Sequence, residues 1–304
     1  MKSKSKPELS IVILNYNTRD FLNDCLESLG KRKLESNFEV IVSDNDSSDG
    51  SVEMVRGDFS WVKLVLNKRN LGFAAGNNRA KSYCKGRYVL FLNSDTLVPK
   101  GTIKQVIKYI SENGDVGALT CKILLPSGDL DKDARRSFVT PWIGLVHIFL
   151  KLDRVFPKSR VFGKYWYGYI SADKTHEVDA LQGAFFLVRR KLLDEVGWFD
   201  EDYFLDGEDI DLSWRIKEKG WKIMYYPLVY ITHFKGVTKG KNKRRKKDIR
   251  LREKMKYRMS GVNSMEIFVR KRLWNKYPYP VMLVVYLGIK ILRLIRVINL
   301  IIFG

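Results

Sequence analysis

The sequence predicts an α/β protein with a mostly parallel central sheet, extended at its C-terminus by a basic helical segment that associates with a membrane. Three observations lead there. Apolar runs of strand length alternate with amphipathic stretches through the first 125 residues. Those runs are apolar on both faces, as expected of strands covered by helices on each side. The positive charge is concentrated at one end: from Gly236 onward there are 19 Lys and Arg against three acids, within a chain of net charge +21.

Taken in order, Leu9 to Leu14 reads as a buried strand, and Arg19 to Gly30 as a helix closed by its glycine. Phe38 to Val42 is a second strand, and a short helix begins at Ser51. Val62 to Leu66 is a third strand, Phe73 to Lys85 a helix, and Tyr88 to Leu92 a fourth strand. The stretch from Pro126 to Thr175 is aromatic and irregular, and is expected to be an insertion that shapes an acceptor face. Order returns at Asp179 to Val188, followed by an acidic segment and a helix from about Asp209 to Lys219. Lys222 to Val229 then leads towards His233.

Composition narrows the function classes. A hydrophobic fraction of 45% over 304 residues is enough to bury a sizeable core. Cys25, Cys84 and Cys121 lie far apart without C-x-x-C spacing, which argues against a disulfide framework or zinc site and for a reducing, cytoplasmic setting. The first 235 residues hold 36 basic and 31 acidic residues, so the electrostatic partner belongs to the tail.

Ligands of open α/β sheets bind beyond the carboxyl ends of the strands. Here those ends are Asn15-Tyr16-Asn17, Asp44 to Gly50, and Asn93-Ser94-Asp95. Asp95 is placed either to cap a turn or to bind a divalent cation that bridges two phosphates. Asp44 and Asn45 suit a pyrimidine or ribose, while Ser47 to Asp49 equally suit a helix cap. Asn70 to Asn78 opens a helix with Gly72 and Gly76, a setting that favours phosphate. It is not G-x-G-x-x-G, so a dinucleotide fold is disfavoured. Seven acids lie from Asp200 to Asp211, with Glu208 and Asp209 at a helix start, either as a solvated cap or as a general base for an acceptor hydroxyl. His233 follows a strand-like run and is either structural or a metal ligand.

The ordered motifs ILNYN, VSDNDSSDGS, NLGFAAGNN, FLNSDT, LQGAFFLVRR and GWFDEDYFLDGEDIDLSWR, with the later His233, resemble glycosyltransferase family 2, the inverting GT-A enzymes, in its rhamnosyltransferase-like branch. The resemblance implies a GT-A (nucleotide-diphospho-sugar transferase) fold over residues 9–238, between a basic N-terminal tail (1–8) and a basic amphipathic extension (239–304). It implies that Asn15, Asn17, Asp44, Asn45, Gly72, Asn78, Asn93, Ser94 and Asp95 frame a nucleotide-sugar. Gln182, Gly183 and Ala184 would floor the sugar site, and Trp198, Asp200 and Glu208 would border the acceptor. Asp209 would be the catalytic base, and Asp95 with His233 would hold Mg²⁺ or Mn²⁺. Asn93 stands where the family's D-x-D motif begins with Asp, which removes one negative charge near the metal. The implied activity is transfer of rhamnose or another hexose from a TDP- or UDP-linked donor to a lipid-linked or glycan acceptor in cell-surface polysaccharide synthesis. A non-catalytic scaffold and a nucleotidyltransferase are the competing classes.

Lys239 to Arg258 contains twelve basic residues against two acids, and Tyr279 to Phe303 is mostly apolar. Lys290, Arg293 and Arg296 interrupt the apolar run at intervals of three. That spacing suits a helix lying in a membrane interface better than one spanning it, and it favours an anionic membrane over nucleic acid. The expectation is a cytoplasmic enzyme held peripherally on the inner face of the cell membrane.

Overall fold

The computed structural model describes residues 6–30, 37–236 and 251–303. The first five residues of the N-terminal tail, and the basic run from Lys239 to Arg250, lie outside the described residues. The first half is built as strand and helix alternate: β1 (Leu9–Asn15), α1 (Arg19–Gly30), β2 (Phe38–Asp44), α2 (Ser51–Asp58), β3 (Val62–Leu66), α3 (Phe73–Asn78) and β4 (Tyr88–Asn93). These four strands pair in parallel, in the order β3-β2-β1-β4. The helix expected to run to Lys85 stops at Asn78, and a 3₁₀ turn at Lys81–Tyr83 carries the chain to β4.

The second half departs from the expected mostly parallel sheet. It adds β5 (Thr96–Leu97), α4 (Thr102–Glu112), β6 (Val116–Leu124), α5 (Pro141–Gly144), α6 (Leu152–Val155), β7 (His176–Glu177), β8 (Phe185–Arg189) and α7 (Arg190–Val196). Then follow α8 (Glu208–Glu218), β9 (Lys222–His233), α9 (Leu251–Phe268) and α10 (Tyr279–Phe303). The nine-stranded sheet is mixed: β8 runs antiparallel to both β4 and β6, while β5 and β7 run antiparallel to β9. Connectivity is the reason. A parallel return requires a crossover to the far edge of the sheet. After β6 the chain instead stays over the carboxyl edge, so β8 re-enters there and runs back. The aromatic excursion therefore hangs over the carboxyl rim of the sheet.

Both faces of β1 and β4 are sealed, with Leu9, Ile11, Val12, Ile13, Val89, Leu90 and Phe91 fully buried. Each such side chain contributes about 1.5–3 kcal/mol by leaving water. The covering helices show the matching period. In α4 the buried set is Ile103, Val106, Ile107 and Ile110, one stripe at helical spacing.

α9 and α10 are packed onto α8 and the loop before it through a second core of Tyr203, Trp214, Val262, Phe268, Leu273, Met282 and Ile289. A polar clamp fixes the join. The fully buried Asp211 accepts from Arg215 Nε at 2.8 Å and from Arg272 Nε at 2.6 Å. The basic positions of α10 are turned onto α9: Lys290 Nζ donates to Glu266 at 3.1 Å, Arg293 pairs with the same carboxylate, and Arg296 donates to the Arg258 carbonyl. The interruptions in the apolar run are thus explained by a partner helix, and the opposite face of α10 is left apolar. Among the described residues no helix is long and apolar enough to cross a membrane.

Removing the shared carboxylate strands two guanidinium groups. We expect Asp211→Ala to cost about 3–5 kcal/mol in urea unfolding, well beyond a surface change such as Glu112→Ala.

Candidate active site

Register builds the first wall of the site. β5 pairs Thr96 with His233 across antiparallel strands, which sets the imidazole beside the end of β4. His233 Nε2 lies 3.3 Å from Asp95 Oδ1, and Nδ1 lies 3.3 Å from Asp131 Oδ2. Asn93 Nδ2 is also 3.3 Å from Nε2. Asp131, itself buried, accepts from Lys235 Nζ at 2.7 Å, and Lys235 also pairs with Asp133. Burial opposes a charge on His233, but the Asp95 and Asp131 carboxylates outweigh it and raise its pKa to about 9. Burial would likewise raise Asp131, yet its bonds to His233 and Lys235 hold it well below the usual carboxylate range.

The second wall is the start of α8. Gly207 enters it at φ 90°, preceded by Asp206 at φ 68°, and this left-handed pair turns the acidic loop sharply into the helix. Asp209, nearly buried, is held by three donors. Its Oδ2 accepts from Arg136 Nη2 at 2.8 Å and from the Gly183 amide at 3.1 Å, and Oδ1 from the Ile210 amide at 2.8 Å. Burial works against the Arg136 charge, and the Asp209 carboxylate reverses that effect, so the guanidinium stays protonated.

The third wall joins β2 to α3. Asn45 Nδ2 donates to the Gly72 carbonyl at 3.0 Å and to Asn70 Oδ1 at 3.2 Å. Gly72 has φ 86°, and a Cβ there would lie 2.3 Å from the Phe204 carbonyl oxygen. That same oxygen accepts from the Phe73 amide at 2.7 Å. Only glycine lets the acidic loop close against the start of α3.

These walls enclose an open pocket of ≈ 330 Å³. Its lining includes Asn45, Gly72, Asn93, Ser94, Asp95, Gln182, Gly183, Ala184, Glu208, Asp209 and His233. The other expected site residues sit behind it. Asn15 donates to Asp44 at 2.6 Å and to Ser47 at 3.0 Å, and Asn17 accepts from the Ser48 amide, so Asn15, Asn17 and Asp44 shape the turn after β2. The Asn78 side chain donates through Nδ2 to the Phe199 carbonyl and accepts at Oδ1 from the Phe199 amide, Trp198 packs edge-on to Phe91, and Asp200 pairs with Lys271 at 2.6 Å.

Arg136, Asp131, Asp133 and Lys235 are functional candidates that the sequence reading did not single out. The first three come from Asp129-Leu-Asp-Lys-Asp-Ala-Arg-Arg136, a dense charge run at the head of the aromatic stretch. That density at a strand's carboxyl end was the available signal. As for a cation, Asp95 and His233 converge on the pocket as one hard and one borderline donor, a set that fits Mg²⁺ or Mn²⁺. Among the described residues no cluster of three or more His, Cys, Asp or Glu that could hold a metal is found. The two would hold a cation whose remaining positions are supplied by phosphate oxygens and water.

This is the sheet and rim of a nucleotide-sugar glycosyltransferase. The chain belongs to glycosyl transferase family 2, whose model matches residues 10–197. It is 27% identical over 245 residues to N-acetylglucosaminyl-diphospho-decaprenol L-rhamnosyltransferase of Mycobacterium tuberculosis, covering 77% of this chain and 78% of that one. It is 25% identical over 232 residues to rhamnosyltransferase WbbL of Escherichia coli, covering 74% and 82%. Among solved structures, mannosyltransferase PcManGT from Pyrobaculum calidifontis, in complex with GDP-Man and Mn²⁺, superposes with a TM-score of 0.54 at 20% identity, covering 93% of this chain and 70% of that one. The fold is therefore GT-A-like, and the protein is a glycosyltransferase.

The charge balance around His233 is open to titration. In the metal-free protein, Asp131→Asn removes one of the carboxylates that raise the imidazole and should lower its pKa from about 9 towards 6.5, read by NMR of labelled histidine. The sign carries to stability. A group raised on folding stabilises fully below its unfolded pKa of 6.5, and that contribution is lost as pH rises through about 9. The variant should show less of this alkaline loss than the parent.

Proposed function

We propose that the protein transfers rhamnose or another hexose, with inversion, from a TDP- or UDP-linked donor to a hydroxyl of a lipid-linked or glycan acceptor. The observation that carries the proposal is the convergence of Asp95, His233 and Asp209 on one pocket, two from strand ends and one from a helix start. A rhamnosyl donor and a lipid-linked acceptor are supported by the mycobacterial relative, an N-acetylglucosaminyl-diphospho-decaprenol L-rhamnosyltransferase. The cation is supported by the donor set and by the Mn²⁺ in the mannosyltransferase complex.

Asp209 is the proposed base. Arg136 and Gly183 occupy its Oδ2 and fix its plane. Among the described residues its Oδ1 accepts one bond, from Ile210, which leaves a lone pair for an acceptor hydroxyl. In the step proposed, that proton passes to Asp209 and the acceptor oxygen bonds to the anomeric carbon. The bond from that carbon to the phosphate oxygen breaks, and the nucleoside diphosphate leaves. Asp95 and His233 would hold a divalent cation, which supplies positive charge to the departing diphosphate. Asn45 would hold Asn70 and Gly72 in place beside the nucleoside, and Gln182 to Ala184 would lie under the sugar.

The second part of the proposal concerns location. The exposed face of α10, with Val284, Leu287, Ile291, Leu294 and Ile295, fits a helix resting in a bilayer interface, close to a lipid-linked acceptor.

A nucleotide-sugar panel with purified protein tests the chemistry. The wild type should release nucleoside diphosphate from one donor class and stop when EDTA removes the cation. Asp209→Asn should lower turnover by roughly 10²–10⁴-fold, with donor affinity by calorimetry unchanged. Wild-type turnover in that variant removes Asp209 from the reaction.

A further inference from the structure

The aromatic excursion between β6 and β8 builds a second apolar surface, and it continues the one on α10. Its inner side is anchored. Ile143 and Val146 are buried, the Ser137 amide donates to the Tyr165 carbonyl at 2.9 Å, and His147 stacks on Tyr165 with ring centroids 3.9 Å apart. Its outer side carries Trp142, Phe149, Leu150, Val155, Phe156 and Val161, all well exposed. These do not lie singly. Trp142 and Phe156 flank Phe162 at centroid distances of 6.4 and 5.7 Å. Phe149 lies over Gly288 of α10 so closely that a Cβ there would be 2.9 Å from its ring. The two faces therefore form one surface, larger than scattered apolar residues account for.

Charge identifies what covers it. Between Pro141 and Tyr165 the ionised side chains are Lys151, Arg154, Lys158, Arg160 and Lys164, all exposed, and Asp153, which is buried against His147 at 2.8 Å. Exposed aromatics interleaved with unopposed basic residues match the interfacial zone of an anionic bilayer. A second copy of the chain would set this basic rim against itself across a two-fold axis.

We infer that residues 141–164 dock into an anionic lipid surface together with α10, as a two-element membrane platform. The inference rests on the membrane reading of α10 given above and adds a second, independent anchor. It also links docking to chemistry. The excursion begins beside Arg136, which holds Asp209, and α9, which carries α10, bonds the acidic loop through Ser260 to Asp206 and Ser264 to the Leu205 carbonyl. The wall of the pocket that carries Asp209 is thus tied from two sides to the surface that would meet the lipid, which sets the pocket at a fixed height for a lipid-linked hydroxyl.

The test uses the full chain and sedimentation with vesicles of phosphatidylcholine mixed with phosphatidylglycerol, against phosphatidylcholine alone. The wild type should bind the mixed vesicles. The triple variant Trp142→Ser, Leu150→Ser, Phe156→Ser should bind them at least about ten-fold more weakly, with its melting curve and donor hydrolysis unchanged. Wild-type binding in that variant overturns the proposal. A parallel variant, Val284→Ser with Leu287→Ser and Ile291→Ser, separates the two readings. If it alone keeps full binding, the excursion is the anchor and the reading of α10 falls. A wild type that ignores both vesicles, whether as a monomer or as a dimer dissolved by the first triple variant, also overturns the proposal.

Discussion

The fold is organised around carboxylates that it buries and must neutralise. Asp95, Asp131, Asp209 and Asp211 are all nearly or fully buried. An unpaired charge in such a place is too costly to keep, so each demands a cation or strong donors. The chain meets that demand from distant segments: His233 between Asp95 and Asp131, Lys235 on Asp131, Arg136 on Asp209, and Arg215 with Arg272 on Asp211. These pairs bind β9, the excursion after β6, and the C-terminal helices to the carboxyl rim of one sheet. Charge pairing and site assembly are the same event here.

The pairs divide the labour. Asp211 is saturated by two guanidinium groups far from the pocket and serves to attach α9 and α10 to the catalytic layer. Asp209 lines the pocket, and among the described residues Asp95 pairs there with the His233 imidazole and with no Lys or Arg. The negative field at Asp95 is what a cation would answer. Asn93, in place of a second carboxylate, limits that field, and its amide lies at the imidazole instead.

Much of this was legible in the sequence because it is local. The starts of β1, β2, β3 and β4 at Leu9, Phe38, Val62 and Tyr88 coincide with the apolar runs, and the polar strand ends mark the rim. The reversal of β8 was not legible. Strand periodicity reports burial of both faces but carries no direction, and direction follows from where the excursion keeps the chain. Arg136 and Asp131 were hidden for a related reason: their partners lie 73 and 102 residues away, beyond any spacing rule. The basic triplet on α10 misled in the opposite sense. Its three-residue period marks one helix face, yet that face meets Glu266 of α9, and the outward face is the apolar one.

The central claim is that Asp95 and His233 grip a cation and a leaving diphosphate opposite Asp209. Crystals soaked with Mn²⁺ and TDP or UDP, measured at the manganese absorption edge, test it most directly. The account predicts an anomalous peak within coordination distance of both Asp95 and His233, with diphosphate oxygens on its pocket side. A diphosphate bound elsewhere, or a manganese peak remote from either residue, would contradict it.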